Sequence, residues 1–260
     1  MTAAQTPPQI RATRGYLICS EHRSGSTLLC QWLASTGVLG YPDEYFATTE
    51  SAIAIERDPS LLADVLARAT TANGVYGVKL FSQQFDQTMA ARWVERLPRP
   101  RFVYLDRRDL LGQAISLVRA RQTQAYFAHE SQRAEPRYDA RAIARQLRRL
   151  AEANARWRLY LARNGVEALW LYYEDMVRDP AAAVRAVADH VGVAEPAIID
   201  PRLIGLTVQR DAVSDEWRAR FVAGAGSLGR LDHPLGRPRV WARRLARDIG
   251  VWVRRVRPSK

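Results

Sequence analysis

The stretch Tyr16-Leu17-Ile18-Cys19-Ser20-Glu21-His22-Arg23-Ser24-Gly25-Ser26-Thr27-Leu28-Leu29-Cys30-Gln31-Trp32-Leu33 reads as a strand, a turn and a helix in succession. Tyr16 to Ser20 is a short apolar run of the kind that fills a buried strand. Glu21 to Ser26 is rich in turn residues. From Thr27 to Thr36, Leu28, Leu29, Trp32 and Leu33 recur at helical spacing until Gly37 stops them. Such a unit opens an α/β sheet.

The pattern repeats downstream. Pro59 to Thr71 predicts a helix, Val75 to Phe81 a strand and Phe85 to Leu97 a helix. Phe102 to Leu105 predicts a third strand, which runs into Asp106-Arg107-Arg108-Asp109. Helices follow over Leu110 to Arg121 and Asp139 to Asn164, the latter ended by Gly165. A fourth strand, Ala168 to Tyr173, precedes a helix from Ala181 to Val191. Strands alternating with helices predict a mostly parallel sheet covered on both faces. No internal repeat is visible.

At 260 residues the chain is long enough for one sizeable core. Its 47% hydrophobic and 25% charged content is ordinary for a globular protein. The net charge of +12 is not, and it points to an anionic partner or to Arg-rich surface composition. Cys19 and Cys30 form no disulfide framework and read as small core residues. The first 14 residues lack the apolar segment of a secretory signal, and no apolar run nears the roughly 20 residues of a membrane span. These features predict a protein of the reducing cytoplasm.

The turn carries the chemistry. Backbone N–H groups at a helix start are unpaired, and the dipole there favours anions. Gly25 permits close approach of backbone to ligand. Ser24, Ser26 and Thr27 add hydroxyls, and Arg23 adds a charged fork of donors. The group suits a phosphate or sulfate; its competitor is a Ser-rich helix cap with no ligand. It is not the G-x-x-x-x-G-K-[ST] loop of nucleotide triphosphatases, because no Lys follows Gly25 and no Gly stands five residues before it.

Taken with its context, this loop resembles the PAPS-dependent sulfotransferase superfamily (PAPS is 3′-phosphoadenosine 5′-phosphosulfate). It is most similar to the bacterial carbohydrate sulfotransferase family typified by trehalose 2-sulfotransferase. The resemblance runs from Tyr16 through Arg23-Ser24-Gly25-Ser26-Thr27 and Thr36-Gly37-Val38-Leu39-Gly40 to Pro42-Asp43-Glu44-Tyr45-Phe46. Gly77-Val78-Lys79-Leu80 then resembles a strand ending at the active site. Arg107 and Ser116, nine residues apart, resemble the pair that grips the 3′-phosphate. Leu171 to Met176 with Asp179-Pro180 resembles a strand–turn signature, and Gln209-Arg210 with Ser214 to Trp217 a late segment near the nucleotide. The resemblance implies a three-layer, P-loop-like fold and sulfuryl transfer from PAPS to a hydroxyl of a carbohydrate or glycolipid. It also implies that Arg23, Ser24, Gly25, Ser26, Thr27, Arg107, Ser116 and Arg210 bind the donor. His22 departs from the pattern, and the chain beyond about Gly224 matches nothing in it.

Sulfuryl transfer needs an in-line acceptor and stabilisation of the leaving oxygen. Arg23 and the loop N–H groups are suited to the leaving phosphate. No His, Cys or Asp cluster has metal-ligand spacing, so no metal is expected. The resemblance implies Glu44 as general base, with Asp43 its neighbour and His22 a rival. Among 39 basic residues only Lys79 and Lys260 are lysine, which singles out Lys79 at a strand end for contact with the sulfuryl group or acceptor. Glu174 and Asp175 read as braces of a turn rather than catalysts.

Two other functional classes remain compatible with the basic composition. A nucleotide kinase would show Mg²⁺ dependence and ATP binding. A basic membrane- or nucleic-acid-binding protein would show no PAPS binding, and no standard nucleic-acid motif appears, so no nucleic-acid partner is expected. Residues 1–225 are expected to form the sulfotransferase domain and 226–260 a basic linker and tail. In that tail Trp241, Leu245, Ile249, Trp252 and Val256 share one helical stripe opposite Arg243, Arg244, Arg247, Arg254 and Arg255. The stripe suits an anionic membrane surface, which would make the enzyme peripheral on the inner membrane, or packing on the core or on a second copy in a homodimer.

Overall fold

A computed structural model of the chain describes residues 11–46, 58, 60–88, 92–126, 133–206 and 212–224. Gln209, Arg210 and the stripe from Trp241 to Val256 lie outside the described residues. The chain divides into two units, Met1–Ala219 and Arg220–Lys260, and the first holds the whole sheet and every residue of the site described below.

Four strands form one sheet: β1 (Arg14–Ser20), β2 (Val75–Phe81), β3 (Pro100–Asp106) and β4 (Ala168–Tyr172). Their order is β2-β1-β3-β4, and every pairing is parallel. The helices are α1 (Ser26–Ser35), α2 (Ser60–Ala69), α3 (Ser82–Thr88), α4 (Leu110–Thr123), α5 (Ala140–Arg163), α6 (Tyr173–Arg178), α7 (Pro180–Val191) and α8 (Ala212–Ala223).

Side chains alternate across the sheet, and the core divides accordingly. On one face Tyr16, Ile18, Val103 and Leu105 meet Leu29 and Leu33 of α1 and Val184 and Val187 of α7. On the other face Leu17, Cys19, Val78, Leu80 and Tyr104 meet Leu62 and Val65 of α2, Phe85 of α3 and Trp157 and Leu161 of α5. This is the three-layer α/β arrangement expected.

One expectation is corrected. The helix expected over Phe85 to Leu97 is not continuous: among the described residues α3 ends at Thr88 and a separate 3₁₀ turn spans Trp93–Arg96. Arg92 takes a left-handed conformation (φ 47°), which an α-helix cannot contain. Phe85, Trp93 and Leu97 nevertheless all reach the same core, which explains why their spacing resembled one helix.

Between the central strands the chain switches sides. β1 leads into α1 on the first face, whereas β3 leads through α4 to α5 on the second. Ligand sites of open α/β sheets form at such a crevice, outside the carboxyl ends of the strands.

Candidate active site

Strand β1 ends at Ser20, whose carbonyl accepts from Trp157 Nε1 at 3.1 Å. Glu21 is buried, and its Oε1 accepts the backbone N–H of Ser82 at 3.1 Å. Desolvation raises the Glu21 pKa above its ordinary value, against hydrogen bonds from Ser82 and Trp157 and the charge of Arg156. The turn that follows is held from the β3 side. Gln113 Nε2 donates to the His22 carbonyl at 2.8 Å, and Arg107 Nη1 donates to the Arg23 carbonyl at 3.1 Å.

Arg23 and Gly25 are both left-handed, at φ 62° and 87°. At Gly25 a side chain is excluded outright, because a Cβ would stand 2.4 Å from Tyr173 Cδ2. Gly25 is also the N-cap of α1 and offers no side-chain hydrogen bond there. The helix therefore begins with N–H groups that no capping side chain takes up. Ser24 lies beside them, buried, with Oγ lacking a hydrogen-bond partner.

The structure brings Arg23, Arg107 and Ser116 together. Arg23 Nε donates to Ser116 Oγ at 2.9 Å, and Arg23 Nη1 donates to the Tyr126 carbonyl. The Arg107 guanidinium lies over the Tyr173 ring, 4.6 Å from its centroid, with Nη2 3.9 Å from Asp109 Oδ2. Arg107 Nε is buried without a partner. Asp109 caps α4 by accepting from Gly112 N at 2.9 Å and also accepts from Arg218 Nη2 at 2.5 Å. Burial works to raise the Asp109 pKa, but these bonds and the nearby guanidinium charges outweigh it and leave it low. Glu174 accepts the backbone N–H groups of Arg108 at 3.2 Å and Asp109 at 3.1 Å, and Asp175 pairs with Arg108, so both carboxylates brace this corner.

A second group forms beside the first. The Lys79 side chain is only 2% exposed, and its Nζ lies 2.7 Å from Glu44 Oε1. The same ammonium donates to Thr27 Oγ1 at 3.1 Å. Glu44 is placed by the backbone of its neighbour. Asp43 bridges the outer edge of β2 opposite Val78, and its carbonyl accepts the Lys79 N–H at 3.0 Å. Asp43 Oδ1 meanwhile accepts from Glu44 N at 2.8 Å, so Asp43 shapes the turn that presents Glu44. The His22 ring packs 4.0 Å from Phe81 between centroids. His22 is exposed by area, yet desolvation lowers its pKa, opposed by the charge of Glu44 and aided by Arg121, Lys79 and Arg23.

Of the residues read from the sequence, Arg23, Ser24, Gly25, Ser26, Thr27, Glu44, Lys79, Arg107 and Ser116 all fall within this connected set. Reading the sequence gave Tyr173 only a place in the strand–turn signature, and it missed Gln113, which holds the His22 carbonyl, and Gln84, which donates to Glu44. Nothing in their types marks them; each is identified by the loop or carboxylate it touches. Among the described residues no group of three or more His, Cys, Asp or Glu is gathered as a metal would require. Among the same residues no helix is long and apolar enough to cross a membrane.

The chain matches the family model described as Stf0 sulphotransferase over residues 15–224. It is 31% identical to the trehalose 2-sulfotransferase of Mycobacterium tuberculosis (strain ATCC 35801 / TMC 107 / Erdman), over 84% of this chain and 98% of that one. It is 28% identical to the trehalose 2-sulfotransferase of Mycolicibacterium smegmatis, over 79% and 93%. A sulfotransferase from Alicyclobacillus acidocaldarius shares the fold, with a TM-score of 0.51 and 14% identity over 82% of this chain and 92% of that one.

Proposed function

The chain belongs to the Stf0 sulphotransferase family and is a sulfotransferase, and from that premise we propose that it carries a sulfuryl group from PAPS to a hydroxyl of a trehalose-like carbohydrate, with Glu44 as general base. PAPS supplies the activated sulfuryl group. The orphaned Ser24 Oγ and the α1 N-terminus without a side-chain cap fit its 5′-phosphosulfate end. Arg23, Ser26 and Thr27 complete that subsite, and Arg107 with Ser116 suits the 3′-phosphate, the orphaned Arg107 Nε included. Arg210 belongs with them by family resemblance.

The observation that carries this reading is the Lys79 bridge. One buried ammonium touches both Glu44 Oε1 and Thr27 Oγ1. Acceptor activation and donor binding are thereby joined at a single cation. In the reaction Glu44 takes the acceptor proton, and Lys79 stands where negative charge passes between the oxygens. His22, desolvated and near four charged groups, is the competing base.

The test is transfer of labelled sulfuryl from PAPS to trehalose, alongside calorimetry of PAP binding in the presence of chelator. Binding of PAP without metal together with labelled trehalose supports the reading. Absence of PAP binding overturns it, and PAP binding with label passing only to other glycans moves the acceptor. A lipid-linked acceptor would give the Trp and Arg stripe from Trp241 to Val256 a purpose at an anionic membrane. In that case full-length protein co-sediments with anionic liposomes at low salt, and a chain ending near Gly236 does not.

A further inference from the structure

Glu44 presents two oxygens, and the protein holds both. Oε1 faces Lys79 Nζ, whereas Oε2 accepts from Gln84 Nε2 at 3.1 Å. Gln84 is buried on α3, immediately past the carboxyl end of β2. Its other amide atom, Oε1, accepts the Phe81 backbone N–H at 2.9 Å. These two contacts fix which way the amide points. A backbone N–H can only donate and a carboxylate can only accept, so the oxygen must face Phe81 and the nitrogen must face Glu44. The start of α3 is anchored in turn, because Ser82 N donates to the buried Glu21 Oε1. A chain of hydrogen bonds thus runs from the phosphate turn through α3 to the second oxygen of Glu44.

We infer that Gln84 is a positioning residue for the sulfuryl-transfer reaction, which orients the Glu44 carboxylate by donating to Oε2 while its own amide is locked by Phe81. The inference rests on the reading of Glu44 as base. Lys79 alone would leave the carboxylate free to rotate about one contact. With Gln84 on the other oxygen, both its plane and its direction are set. The remaining ionisable groups around Glu44 are His22 from the turn after β1, Cys30 from α1 and Asp43 on its own segment. None of them has a hydrogen-bond contact with Oε2 comparable to that of Gln84 among the described residues.

The experiment reads the carboxyl ¹³C signal of Glu44 at one fixed pH in the full-length protein carrying ¹³C-carboxyl glutamate, the signal assigned by its disappearance in Glu44→Gln. Two variants are compared with wild type. Gln84→Met keeps the volume and removes the donor, so the Glu44 signal should shift and turnover should fall several-fold while PAP affinity is kept. Gln84→Glu keeps an acceptor for Phe81 N but turns an oxygen toward Glu44, so both effects should be larger. It also serves if loss of the Phe81 contact unfolds the Met variant. A Glu44 signal unchanged in both variants overturns the inference and reduces Gln84 to an acceptor for Phe81. The premise is read separately by turnover of Glu44→Gln. Full activity there removes Glu44 as base whatever the carboxyl signal shows.

Discussion

Arg23 Nε donates to Ser116 Oγ at 2.9 Å, joining the turn after β1 to the second turn of α4 across 93 residues of chain. By family resemblance the two residues serve opposite ends of PAPS, the 5′-phosphosulfate and the 3′-phosphate. Their contact makes one unit of them. Substituting Arg23 by Ala should lower turnover by about a hundredfold, the usual consequence of removing one donor at a developing charge. Substituting both Arg23 and Ser116 by Ala should weaken PAP binding by less than the sum of the single losses, with a coupling of about 0.5–3 kcal/mol. Calorimetry on the four proteins of the cycle measures this, and additive losses would separate the two subsites.

Arg107 reaches the same place from the end of β3. It donates to the Arg23 carbonyl and lies over Tyr173. Arg107→Ala should weaken PAP more than adenosine 5′-phosphosulfate, which lacks the 3′-phosphate. Arg107→Lys should recover little, because an ammonium neither stacks on the ring nor offers a planar fork. Equal losses for both ligands would give Arg107 a purely structural part in holding the turn.

The four strands and most helices were legible because burial leaves a periodic mark. In β1, Tyr16 and Ile18 face one core and Leu17 and Cys19 the other, which produces an unbroken apolar run. The break at Arg92 was not legible, since a left-handed Arg leaves no mark on the apolar spacing around it. At the site, residues with charge or a turn requirement stood out: Arg23, Gly25, Glu44 and Lys79. Gln84 and Gln113 did not, because a buried glutamine acquires its meaning only from partners 40 and 91 residues away. The Lys79–Glu44 contact was equally hidden, although each residue stands out in the sequence on its own grounds.

Lys79 occupies a slot with 2% exposure between Glu44 and Thr27. An arginine there is longer and planar, and overpacking of this kind costs about 1–3 kcal/mol. Lys79→Arg should therefore lower the unfolding midpoint in urea. It should also lower turnover by more than tenfold, because the guanidinium cannot contact both oxygens from the same position. A variant with wild-type turnover would show that any cation serves there and that Lys79 is not part of the reacting group.

Glu21 gives a dependence of stability on pH whose sign can be worked out in advance. Its carboxyl is buried at the turn after β1, and desolvation raises its pKa from the ordinary value of 4.5. Between that value and the raised one, the unfolded chain has released the proton and the folded protein still holds it. The folded state binds more protons in this window, so unfolding free energy falls as pH rises through it. Above the raised value both states are ionised and the loss is complete. Glu21→Gln does not titrate and is free of this effect. The difference in unfolding free energy, wild type minus Glu21→Gln, should therefore decline from about pH 4.5 upward and then level off. Urea unfolding of both proteins at several pH values measures it. A difference that instead grows with pH would mean that the Ser82 and Trp157 donors outweigh burial, with the carboxylate stabilising the turn as an anion.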